Sequence, residues 1–186
     1  MALPDSWTET CLVGITKSGD SEHQFAATTD TVDIDWGEKG VEFFATCSGG
    51  RIVKYTPETD TRITLEMYPA GIKAPDGITQ LFLGDDSDST QPISVTNTRV
   101  RYKFRVSVLW TEDTTATEAS GATAAEAGVR FSFLDCYCIS AKPAFTDDIL
   151  KVTAILVCPA FNKAGTGRIT SEESDGSEVL PALGSY

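Results

Sequence analysis

From Arg99 to Trp110 the chain alternates cations with bulky apolar residues. Val100, Tyr102, Phe104, Val106 and Val108 share one side, which Trp110 continues, while Arg99, Arg101, Lys103 and Arg105 share the other. A period of two is the spacing of an extended strand, because successive side chains point to opposite faces of the sheet. A helix could not gather these residues into one apolar stripe. The segment therefore needs neighbouring strands for its backbone and a second layer to cover its apolar face.

The same period recurs along the chain. Val41 to Thr46 reads as a strand, and Arg62 to Tyr68 alternates cleanly: Ile63, Leu65 and Met67 inward, Arg62, Thr64 and Glu66 outward, stopped by Pro69 and Gly71. Val129 to Ser140 and Ile149 to Cys158 follow. In the second of these, the outer polar positions fade around Leu150 to Val157, which predicts burial on both faces. A weaker early strand pair is expected near Cys11 to Lys17 and Thr31 to Trp36, and Gly49-Gly50-Arg51 reads as a turn between strands.

Helical signals are few. Ala74 to Gly84 predicts one short helix, capped by Asp76 and stopped by Gly84. Thr115 to Gly128, rich in Ala, Thr and Ser, fits either a turn or two of helix or a loop. Surface excursions are expected at 84–94, at 111–128 and from Glu172 to Tyr186. Neither a repeat nor a linker divides the sequence. The 186 residues predict one mainly-β domain of two packed antiparallel sheets with a short flanking helix.

Charge narrows the partners. With 27 acidic against 15 basic residues, the net charge is −12, the wrong sign for a protein that holds phosphates with Lys and Arg. The four cations of the Arg99 strand are the exception. Sixteen acids against six bases precede it and eleven against five follow it. Four like charges on one strand face repel unless something negative lies opposite. Two readings are open: an intrachain ladder, for instance with Glu66 or with Asp33 and Asp35, or an interface with another copy. Nucleic-acid binding ranks third.

A catalytic reading finds little to build on. His23 is the only imidazole, and no Gly-x-Ser-x-Gly turn or phosphate-cradling glycine loop occurs. Asp85, Asp86 and Asp88 invite a calcium reading, but Ser89-Thr90-Gln91 follows where the EF-hand pattern needs a Gly and later a Glu, so a solvated acidic loop is expected. Asp147-Asp148 and Glu172-Glu173 are adjacent pairs with no reason to converge. Cys11, Cys47, Cys136, Cys138 and Cys158 form an odd set without zinc spacing, and read as free thiols in a reducing compartment. Cys136 and Cys138 are expected to share one strand face. No metal, cofactor or enzyme activity is expected. The first residues carry no basic-then-apolar leader, and no run of about 20 apolar residues occurs.

The order of segments carries a resemblance. An acidic early strand is followed by Gly49-Gly50-Arg51, then by Thr61 to Pro69, by the Gln80-Leu81-Phe82 helix, by the basic strand ending Leu109-Trp110-Thr111, and by Lys142 to Asp148. This succession resembles the major tail tube proteins of tailed viruses, those of archaea included, and covers most of the chain. The resemblance implies hexameric rings that stack into a hollow tube in the virion tail, assembled in the host cytoplasm. Its partners would be other copies and other tail proteins, with genome DNA passing through unbound and no membrane contact. Six copies at −12 each carry a formal −72, which lining the bore would repel DNA. The needle tubes of contractile injection systems are similar in the same way. A different class of reading is a β-sheet module that binds a ligand in an apolar pocket lined by Trp7, Trp36 and Trp110.

Overall fold

The computed structural model describes residues 10–19, 22–24, 29–37, 40–55, 59–68, 103–121, 124–146 and 149–186. Ten strands lie within them: β1 (Thr10–Lys17), β2 (Glu22–Gln24), β3 (Thr29–Asp35), β4 (Val41–Ala45), β5 (Arg51–Tyr55), β6 (Thr61–Met67), β7 (Phe104–Thr111), β8 (Ala127–Thr146), β9 (Ile149–Cys158) and β10 (Ile169–Asp175). The chain is mainly β, as its period-two patterning requires. The expected helix at 74–84, the acidic loop and the first half of the basic strand lie outside the described residues.

All described pairings are antiparallel. One sheet runs β2-β1-β7-β8 with β10 on the other side of β8, and the second runs β8-β9-β6-β3. The long strand β8 belongs to both. Its first half, to Cys136, pairs with β7, and its second half, from Tyr137, pairs with β9. At the junction stands Asp135, with φ 57, the one non-glycine residue of positive φ among the described residues. Aspartate tolerates that left-handed conformation better than most side chains. The register of β7 against β8 slips opposite it, between Phe104 and Val106, so the strand bends from one sheet into the other.

The core lies between the sheets. Val13 and Ile15 of β1, Phe104, Val106 and Val108 of β7, and Phe133 and Cys136 of β8 meet Ile63, Leu65 and Met67 of β6 and Val152, Ala154, Leu156 and Cys158 of β9. Removing each large apolar side chain from water contributes roughly 1.5–3 kcal/mol. The inward residues expected of β6 and β7 are these. In β9 one face is fully buried and the other, from Lys151 to Val157, is half-buried. The early segments form β1 and β3 but not a pair: β1 joins β2 and β7, and β3 joins β6. Local pattern identifies a strand, while its partner is settled by contacts distant in sequence.

The second face of β7 is also covered. Leu12, Leu109, Ala116, Ala119 and Leu180 form a small apolar cluster there. It is sealed by the turns of 112–121 and by the segment 176–186, which departs from the expected surface excursion. Within 112–121 the described residues form turns rather than helix. Asp113 organises them, its carboxylate accepting from Thr115 N at 2.8 Å, Thr115 Oγ1 at 2.6 Å and Ala124 N at 3.0 Å.

Candidate functional site

Two strands stand apart from the rest. Among the described residues, β4 and β5 pair only with each other, through the turn at Gly49 (φ 80), where Thr46 N donates to Gly50 O at 2.8 Å. Phe43 opposes Val53 on one face of this ribbon, and Phe44 opposes Ile52 on the other. All four are exposed, Phe43 by 66% and Ile52 by 57%. A buried strand hides at least one face, and a solvated ribbon is polar on at least one. This ribbon exposes large apolar side chains on both, beside Glu42 on the Phe44 face and Arg51 on the Phe43 face.

A second exposed apolar region lies at the far end of the β8–β9 hairpin. Directly opposed residues share a face, so the row Leu156/Cys138, Ala154/Ala141 and Val152/Pro143 continues to Leu150/Phe145. Its cover thins along β8: Cys138 and Ala141 are half-buried, Pro143 is exposed, and Phe145 is 72% exposed. Ile139, at the register slip beside Cys138, is exposed as well.

The basic stripe has a different fate from a free cationic face. Arg99 and Arg101 lie outside the described residues. Lys103 is half exposed and pairs with Asp135 at 3.2 Å. Arg105 is only 6% exposed. Its Nη1 donates to Gly184 O at 2.5 Å and its Nη2 to Thr16 Oγ1 at 3.4 Å, with the Tyr186 ring 5.7 Å away. Glu66, one of the carboxylates considered for a ladder, pairs with Lys151 at 2.7 Å. Asp85, Asp86 and Asp88 lie outside the described residues, as do Asp147 and Asp148.

Sequence reasoning missed the most buried cation. Arg130 is fully enclosed. Its Nε donates to Glu172 Oε2 at 2.8 Å and its Nη1 to Ser120 O at 2.8 Å, while Nη2 reaches both Glu172 Oε2 and Pro181 O. Glu173, by contrast, points away to solvent. Asp135 is a second hub: besides Lys103 it accepts from the Tyr186 hydroxyl at 3.2 Å. Arg168 Nε lies 2.8 Å from it, pairing charge without an aligned N–H. Burial, with Asp135 beside it, pushes the Tyr186 phenol up to about 12.

Among the described residues, no three His, Cys, Asp or Glu converge as metal ligands, and no helix is long and apolar enough to cross a membrane. A cleft of about 380 Å³ is lined by Trp36, Phe161, Thr59, Thr61 and Arg168. Trp36 is 45% exposed there and braces edge-on against Phe131 at 5.1 Å. Trp110 packs on Phe131 and the core instead, and Trp7 is outside the described residues.

No protein-family model matches the chain, and no curated protein does. Solved structures do match. The cap that terminates the tube of the anti-feeding prophage superposes with a TM-score of 0.56 at 11% identity, over 94% of this chain and 95% of that one. A chain of the sheath–tube complex of the PVC extracellular contractile injection system gives 0.54 at 12% identity, over 91% and 94%. The sheath/tube terminator of the same system gives 0.50 at 15%, over 92% and 97%. This chain shares their fold. The likeness spans more than nine tenths of both chains in each comparison.

Proposed function

We propose that this chain is a self-associating structural subunit of a phage-tail-like tube, built from stacked six-membered rings with a negatively charged lining. The observation that carries the proposal is the β4–β5 ribbon with apolar side chains on both faces. A lone two-stranded hairpin is marginally stable in water, and four large apolar side chains on it gain only when both faces are covered. Neighbouring copies supply that cover in an assembly.

The geometry favours a ring or filament over a simple dimer. The ribbon and the exposed end of the β8–β9 hairpin are different surfaces. A contact between different surfaces of identical chains is heterologous, and it either closes a ring or propagates. The shared fold with tube and terminator chains supports the same reading, as does the acidic composition, which keeps DNA from adhering to a wall of like charge. The virus-tail setting, its archaeal host and the passage of a genome rest on the sequence resemblance. The solved structures belong to contractile injection devices, which favours such a device as the second setting for the same subunit. In either setting the chain is a building block of a particle and works without catalysis.

Sedimentation velocity across protein concentration and salt tests the proposal. Wild-type protein is expected to associate into ring-sized or larger species, and the double variant Phe43→Ser/Ile52→Ser to remain monomeric while folded. A wild-type protein that stays monomeric throughout overturns it.

A further inference from the structure

Cys136 and Cys158 are both fully buried, on adjacent strands, where the two sheets meet. Tyr137 pairs with Val157, so the antiparallel register places Cys136 and Cys158 one step further along the same two strands. Two anchoring contacts agree. The Cys136 sulfur lies 3.4 Å from Phe133 O and the Cys158 sulfur 3.3 Å from Leu134 O, the carbonyls of consecutive residues. Burial pushes the Cys136 thiol well up, and the neighbouring Cys158 acts in the same direction. Directly opposed strand residues hold their Cβ atoms about 4.5–5.5 Å apart, close to the separation a disulfide requires. Of the other three thiols, Cys11 stands on β1 opposite Trp110, Cys47 is exposed near the ribbon turn, and Cys138 bonds to Ser140 O.

We infer that Cys136 and Cys158 are a disulfide-forming site, a cross-strand bond that closes as the chain folds in the presence of an oxidising disulfide. One thiol, as thiolate, attacks a small-molecule disulfide such as oxidised glutathione and releases one glutathione thiolate. The other cysteine, deprotonated, then attacks the mixed-disulfide sulfur and releases the second. Two electrons and two protons leave the protein, the small disulfide becomes two thiols, and one S–S bond forms. The bond would tie β9 to the point at which β8 passes from one sheet to the other, next to Asp135, and so fix how the two sheets meet. The inference stands on the strand register and is independent of the assembly reading.

Intact protein is refolded in a glutathione buffer poised from reducing to oxidising, quenched by acid, alkylated and mapped by peptide mass spectrometry. The expected result is a mass lower by about 2 Da and a cross-linked pair of peptides containing Cys136 and Cys158. The oxidised chain is expected to melt about 6–12 °C above the reduced one, from loop closure across the intervening segment. Cys47→Ser is expected to leave the cross-link intact, and Cys136→Ser to abolish it. Fully alkylated Cys136 and Cys158 at the oxidising end, or a cross-link that uses Cys11, Cys47 or Cys138 instead, overturns the inference. Because wild-type mapping decides it, a Cys136→Ser chain that fails to fold does not obscure the answer.

Discussion

Replacing Arg130 by Met keeps the length and apolar stem of the side chain and removes its charge and five donors. In the native chain that guanidinium is enclosed, with two acceptors on Glu172 and the main chain of Ser120 and a third at Pro181. Deleting one member of a buried ion pair typically costs about 3–5 kcal/mol, because its partner is left uncompensated. Glu172 keeps 35% of its side chain in water, which discounts that figure, while the Pro181 carbonyl, left without its donor, restores part of it. The expectation is about 3 kcal/mol. For a chain of this size that lowers Tm by about 6–12 °C. Thermal and urea unfolding followed by circular dichroism at one fixed protein concentration measures it, since association would otherwise shift the midpoint. Hydrogen exchange adds a local readout: Leu183 N, which donates to Ser120 O, should lose protection first. A variant within about 1 kcal/mol of wild type, with Leu183 still protected, would show that Arg130 does not hold 176–186 on the sheet.

Three further outcomes follow from the same geometry. Arg105→Glu buries a carboxylate facing Gly184 O and is expected to destabilise the monomer by about 3 kcal/mol, so it acts on folding as well as on any assembly, measurable by urea unfolding. Tyr186 favours its protonated form in the folded chain, so its contribution is complete below pH 10 and is lost as pH rises through about 12. A wild-type stability decline over that window, absent in Tyr186→Phe, checks the sign. Phe43→Ser/Ile52→Ser changes only exposed residues and is expected to move monomer stability by no more than about 0.5 kcal/mol by the same unfolding assay.

The inward faces of β6 and β7 were legible because alternation is a local property and the backbone honours it wherever a sheet forms. The pairing of β1 was not, since its partner β7 lies some ninety positions on and nothing local names it. Arg105 read as a surface cation for a similar reason. What buries it is the main chain of Gly184, 79 residues away, and a carbonyl leaves no mark in a sequence. The segment after Asp175, with Gly176, Ser177 and Glu178, has the composition of a loop, yet Leu180 and Tyr186 anchor it. The β4–β5 ribbon was half visible: strand and glycine turn could be read, but its exposure could not, because Phe43 and Phe44 in a strand look like core. The stripe residues Arg99 and Arg101 and the acidic residues Asp85, Asp86 and Asp88 fall outside the described residues, so their proposed contacts rest on sequence.

Electron microscopy of concentrated wild-type protein tests the self-association claim most directly. The account predicts annular particles with six-fold symmetry, alone or stacked, in which the β4–β5 ribbon contacts a neighbouring copy and the inner wall is acidic. Dispersed monomers at every concentration and salt, or rings whose ribbon remains bare and whose bore is basic, would contradict it.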